Sequence, residues 1–171
     1  MFFIQIGVLD LMRVREHLQR SRQQAGFTLL EILIAVFLVG ILAAIALPKY
    51  NNYRDRIAQS KAIGDIKVLQ MLITDFFNSN GAYPTTLSEI GNAGLKDPWG
   101  RGYIYVNLSS VQGNGKARKD HKFNPINSDF DLYSMGKDGV TKSQLTQKDS
   151  LDDIVRASDG KFVGLASDFS P

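Results

Sequence analysis

Two groups of residues have types and spacings that could do chemistry. The first is Glu31, the only charged residue in the apolar run from Phe27 to Leu47. A carboxylate inside a membrane costs roughly 2–3 kcal/mol or more unless a cation answers it, so its chemistry would be charge pairing. The second group is Asp138, Asp152 and Asp153, with Gly136 and Gly139 close by. The glycines permit tight turns, and the carboxylates are hard oxygen ligands. Backbone carbonyls in such a turn could complete the roughly six to eight oxygens that calcium prefers. The chain has no cysteine, and a metal is one way to pin a long loop without disulfides. The same residues could equally form a solvated acidic turn that holds no metal.

Other candidates carry less. Asp129 and Asp131 would share one face of a strand, as paired acid–base carboxylates might, but nothing places a substrate near them. Trp99 and Tyr103 could stack on a ligand. Between Pro98 and Gly100, however, Trp99 reads as packing under a turn. His17 and His121 are the only histidines. A histidine metal site, a Ser-His-Asp triad and thiolate chemistry therefore have almost no raw material. No enzymatic constellation emerges.

The net charge of +3 is a local feature. Arg13, Arg15, Arg20 and Arg22 precede Gly26, against Asp10 and Glu16. Beyond Gly26, 16 Lys and Arg face 15 Asp and Glu, so no global basic field argues for nucleic acid. The polar, Gly-rich segment Ser109–Pro125 carries Lys116, Arg118, Lys119, His121 and Lys122. It reads as a solvated hairpin loop, or as an exposed contact for an acidic partner or neighbouring subunit. No aromatics interleave with its basic residues, as a nucleic-acid site would want.

The elements that must position these residues are legible. As a helix, the 21 residues from Phe27 to Leu47 would reach roughly 31 Å, about the thickness of a bilayer core. The arginines before it should keep the N-terminal side cytoplasmic, so that everything after Pro48 is exported. Three readings compete. A secretory signal cut after Ala44-Ile45-Ala46 would have too long an apolar region. A plain anchor leaves Glu31 unexplained. In the third reading Glu31 is functional. After Pro48, where a kink is expected, an amphipathic helix should continue on the stripe Ile66, Leu69, Ile73 and Phe76. It should stop at Asn78-Ser79-Asn80-Gly81, for about 52 residues and roughly 78 Å.

Beyond it, Thr86 and Glu89 have capping-box spacing, with Leu87 and Ile90 facing inward. Asp97-Pro98-Trp99-Gly100 is a turn. Strands are expected at Tyr103–Leu108, with Ile104, Val106 and Leu108 opposed to Tyr103 and Tyr105, and at Asp129–Ser134 and Lys161–Leu165. The expected class is α+β: a long N-terminal helix packed against a small antiparallel β-sheet.

The junction Gly26-Phe27-Thr28-Leu29-Leu30-Glu31, followed by Ile32-Leu33-Ile34-Ala35-Val36, resembles the class III signal of type IV pilins and pseudopilins. The resemblance implies cleavage by a prepilin peptidase between Gly26 and Phe27 and N-methylation of Phe27. It also implies a charge pair between the new ammonium and Glu31 of a neighbouring subunit. The later part is similar to the major pseudopilin of type II secretion systems. Asp97-Pro98-Trp99-Gly100 matches its turn, and Asp131-Leu132-Tyr133-Ser134-Met135-Gly136-Lys137-Asp138-Gly139 its late strand. Asp152-Asp153-Ile154 matches the acidic pair closing its calcium loop. Carried over, the calcium ligands would be the Met135 carbonyl and the Asp138, Asp152 and Asp153 carboxylates, with one or two loop carbonyls. Asp149 or Asp159 could replace one of them, because the loop Val140–Leu151 is longer than that family's habit and the ending differs.

The implied organisation is a basic leader at 1–26, with translation starting at Met12, and a membrane or filament-core helix half at 27–47. An amphipathic half at 48–80 and a globular β domain at 81–171 follow, the latter with a calcium loop at 135–153. The implied protein is a pilin-fold subunit of a periplasmic pseudopilus that supports protein secretion. A subunit of a type IV pilus for motility, adhesion or DNA uptake is the alternative. Its partners would be copies of itself, other pilin-like subunits, the prepilin peptidase, an inner-membrane assembly platform and membrane lipid, but not nucleic acid.

Overall fold

The structure, a computed structural model, describes residues 26–110, 115 and 117–170. The leader, with Met12 and its arginines, and Lys116 lie outside the described residues. The chain divides into two compact units, one ending at Leu47 and the other beginning at Pro48.

One helix, α1, is assigned from Leu29 to Asn80, 52 residues with Pro48 inside it. In the first unit its apolar side chains are exposed along their length, Leu29 at 78 % and Phe37 at 68 %. This stretch is long and apolar enough to cross a membrane. In the second unit Ala62, Ile66, Leu69 and Ile73 are fully buried. Their three- and four-residue spacing places them on one face, as the sequence pattern requires.

That face packs on a four-stranded antiparallel sheet. Its strands are β1 (Ile104–Asn107), β2 (Phe130–Ser134), β3 (Ile154–Ala157) and β4 (Phe162–Leu165), ordered β1-β2-β3-β4. Alternation along β2 and β3 sends Phe130, Leu132 and Ile154 toward the helix, into one core with Tyr103. Phe130 is central to it, its ring centroid 5.4 Å from that of Tyr83 and 5.6 Å from that of Tyr105. The capping box before the short helical turn Leu87–Ile90 forms, with the Glu89 carboxylate accepting from the Thr85 and Thr86 N–H groups. Leu87, Ile90 and Trp99 pack against the same core.

Three features differ from the sequence reading. The inward face of β1 is the opposite one: Tyr103 is buried in the core and Tyr105 packs on it, while Ile104 and Val106 are only half-buried. The tyrosines can turn inward because each hydroxyl finds a partner there. Tyr103 donates to Asp65 Oδ2 at 2.7 Å and Tyr105 to the Pro84 carbonyl at 2.8 Å. Second, β3 forms from Ile154-Val155-Arg156-Ala157, a stretch read only as the end of an acidic loop. Third, the sheet's other face is also covered. Val155 and Ala157 join Ile126, Leu145 and Ala166 in a second core, with Tyr133, Phe162 and Phe169 packed around it.

Candidate functional site

The Gly26–Phe27 junction, read from the sequence as a cleavage site, sits at the start of α1. Gly26, Phe27 and Thr28 precede the helix and are exposed, Phe27 at 82 %. Thr28 and Glu31 form a reciprocal cap. Glu31 Oε2 accepts from the Thr28 N–H and from Thr28 Oγ1, both at 2.8 Å, and Thr28 Oγ1 accepts from the Glu31 N–H at 3.2 Å. The [ST]-x-x-[DE] spacing before an apolar run signals this cap, a role that reading Glu31 only as a charge partner passed over. The cap consumes donors at the helix start that otherwise lack intrahelical acceptors.

The C-terminal loop is built from several segments. Gly136 and Gly139 have positive φ, 63° and 75°. A Cβ on Gly136 would lie 2.3 Å from the Asp152 carbonyl, and one on Gly139 would strike the Arg101 guanidinium at 2.9 Å. Glycine is therefore favoured at both by conformation, and at Gly136 it is required by space as well, because the atoms there are backbone. Arg101 donates to the Gly136 and Lys137 carbonyls, fastening this turn to the Asp97 turn. Asp97 itself is saturated. Its Oδ1 accepts from the Trp99 and Arg101 N–H groups, and its Oδ2 from Ser134 Oγ at 2.6 Å.

The four residues expected around a metal face other groups. The Met135 carbonyl accepts from the Gly139 N–H. Asp138 Oδ1 accepts from the Val140 N–H. Asp152 Oδ2 accepts from two successive N–H groups, Lys137 at 2.7 Å and Asp138 at 3.0 Å. Asp153 is fully buried. Its Oδ2 accepts from Arg118 at 2.6 Å and from Thr141 Oγ1 at 2.5 Å, while its Oδ1 is buried without a hydrogen-bond partner. No three acidic or histidine side chains are gathered for one ion among the described residues. As folded, each of these residues has one oxygen engaged by a donor, and at Asp153 Oδ2 that donor is a guanidinium where calcium would want further oxygens. Burial pushes the Asp153 carboxyl above the usual carboxylate range, opposed by Thr141 and Arg118. Burial likewise raises Asp131, opposed by the Arg118 N–H and Asn127.

Arg118 is the residue whose setting the sequence misrepresented. Grouped with the solvated basic loop, it is 2 % exposed beside buried Ala117. Its N–H donates to Asp131 Oδ2 at 2.6 Å, and its guanidinium stands 4.3 Å from the Tyr133 ring centroid. The partner, Asp153, is 35 residues away, so no local pattern could have announced the pair. Asp129 and Asp131 do not form a dyad. Asp129 takes both terminal nitrogens of Arg156, at 2.7 and 2.6 Å, while Asp131 serves Arg118 and Asn127. Asp159 is also engaged, capping the Ser128 N–H at 2.6 Å.

A family model described as the prokaryotic N-terminal methylation motif matches residues 21–47. The type II secretion system core protein G of Pseudomonas aeruginosa is 32 % identical, over 70 % of this chain and 88 % of that protein. The protein of the same name from Aeromonas hydrophila is 32 % identical, over 70 % and 87 %. The type IV major pilin protein PilE of Neisseria gonorrhoeae is 31 % identical, over 81 % and 88 %. No solved structure matches the chain.

Proposed function

The chain belongs to the family of type IV pilins and type II secretion pseudopilins, and from that premise we propose that it is a structural subunit of a type II secretion pseudopilus. In this reading it spans the inner membrane once, with its C-terminal unit in the periplasm. Prepilin peptidase cuts between Gly26 and Phe27, and Phe27 is N-methylated. The subunit then leaves the lipid, through an assembly platform, for a filament of its own copies and other pilin-like subunits. Its work is mechanical, and it is not an enzyme.

The observation that carries this is the junction. An exposed Gly26–Phe27 bond leads directly into a helix whose apolar side chains are unburied and whose only charge near its start is Glu31. Cleavage would create an ammonium at Phe27, and in an apolar filament core that charge and a carboxylate are each costly unless paired. Mass spectrometry of the mature chain should find N-methylphenylalanine from Phe27 as the first residue. Any other N-terminus overturns the reading.

Glu31→Ala should insert normally but assemble poorly, with filament yield lower by roughly tenfold or more, since about 1.4 kcal/mol of lost pairing per contact already gives that factor. Unchanged yield would remove the pairing. A type IV pilus subunit is the second reading, favoured by the 31 % identity to PilE over most of both chains. Deleting the gene separates them: loss of secretion with surface pili intact supports the pseudopilus, and the converse supports the pilus.

A further inference from the structure

Two requirements meet at Asp153. A fully buried carboxylate must be answered by positive charge or by donors. A long loop in a chain without cysteines also needs a fastening across the segments it separates. The guanidinium of Arg118 meets both. It reaches Asp153 Oδ2 at 2.6 Å and donates to Thr141, whose hydroxyl in turn donates to Asp153. Its backbone ties the same residue to the sheet, through the N–H to Asp131 and through the carbonyl accepting from Ile126. Neighbouring Lys119 bonds in both directions to the loop, its N–H to the Ser143 carbonyl and its carbonyl from the Leu145 N–H. Residues 118, 141 and 153, separated by 23 and 12 positions along the chain, are thus held by one cation.

That cation is incompatible with a second one in the same place. A calcium ion bound to Asp153 would stand beside a buried guanidinium, where like charges are poorly screened. The other acidic residue of the pair, Asp152, has its Oδ2 already answered by two N–H groups, so its charge is partly met within the loop. We propose that Arg118 is the built-in cation of this loop, and that the folded C-terminal unit is stable without calcium. The proposal concerns the fold of that unit and does not rest on the secretion assignment. Its consequence is a filament subunit whose integrity does not follow the calcium level of its compartment.

Thermal melting of the full-length chain in detergent, with millimolar calcium and with a chelator, is the direct test. The two midpoints should agree within about 1 °C. Calcium held in the folded state at 100 times its Kd would instead raise the midpoint by roughly 5–10 °C, and that result overturns the proposal. The buried Asp153 Oδ1 is the atom such an ion would use. A double-mutant cycle tests the clasp itself. Arg118→Met should lower the midpoint by roughly 6–12 °C. Arg118→Met with Asp153→Asn should lose clearly less than the two single changes together. Additive losses overturn the clasp, and if Arg118→Met does not fold, the calcium comparison on the unaltered chain still decides the metal question.

Discussion

The stretch from Leu29 to Leu47 and the sheet from Ile104 to Leu165 solve opposite problems. In the first, large apolar side chains are exposed and nearly every polar group is backbone, satisfied within the helix itself. Such a segment is complete only in lipid or among other helices. In the second, charged groups are buried, yet they find partners inside the unit: Arg118 with Asp153, Arg156 with Asp129, Ser134 with Asp97. The difference teaches where information about function resides. A segment written for another environment can be read without its fold, because its composition states what surrounds it. A segment that satisfies its polar groups internally conceals its partners until they are folded together.

Three changes and one titration would break or sharpen that contrast. The largest effect belongs to the junction. Gly26→Val should abolish processing, leaving the leader on the chain in mass spectrometry. A Cβ at Gly26 meets nothing within 4 Å, so the thermal midpoint of the C-terminal unit should not move. A shifted midpoint would show that the two regions are not separable in this way.

Phe130→Ala comes next. It empties the centre of the helix-facing core, where the Arg156 guanidinium also lies 3.9 Å from the ring centroid. About 3–5 kcal/mol should be lost in denaturant unfolding, while membrane insertion and cleavage at Gly26 continue. A smaller effect, about 1 kcal/mol, is expected for Tyr105→Phe, which removes the hydrogen bond to the Pro84 carbonyl. Asn107 Nδ2 stays near that carbonyl at 3.4 Å and limits the loss.

The gentlest probe is alkaline pH. Burial, reinforced by the hydrogen bond to Asp65, raises Tyr103 well above the ordinary phenol value, and burial does the same for Tyr105. The folded state therefore holds these protons more tightly than the unfolded chain. Stability should be intact below about pH 10, the unfolded phenol value, and decline gradually above it. Denaturant midpoints read alongside phenolate absorbance of the unaltered chain and of its Tyr103→Phe and Tyr105→Phe variants should show this, and a folded-chain phenolate signal near pH 10 that shrinks in either variant would contradict it.

What the sequence determined by itself is local or compositional. The apolar run with one carboxylate, the stripe through Ile66, Leu69 and Ile73, the stop at Asn80 and the Thr86–Glu89 cap each lie within a few residues. Helix period and capping chemistry act over that range. The type and place of β2 and β4 were legible for the same reason. The facing of β1 was not, because Tyr103-Ile104-Tyr105-Val106 alternates two residue types that can both be buried. Hydroxyl partners at Asp65 and Pro84, supplied by distant segments, decided it. Strand β3 stayed hidden because Arg156 interrupts its apolar pattern, and contacts from distant segments, the bidentate pair with Asp129 together with Gln70 and the Phe130 carbonyl, make that arginine a core residue. The setting of Arg118 was decided in the same way. In sequence it is one more basic residue in a polar loop. In the fold it faces the carboxylate of Asp153, and burial of that charge required a partner from wherever the chain could bring one.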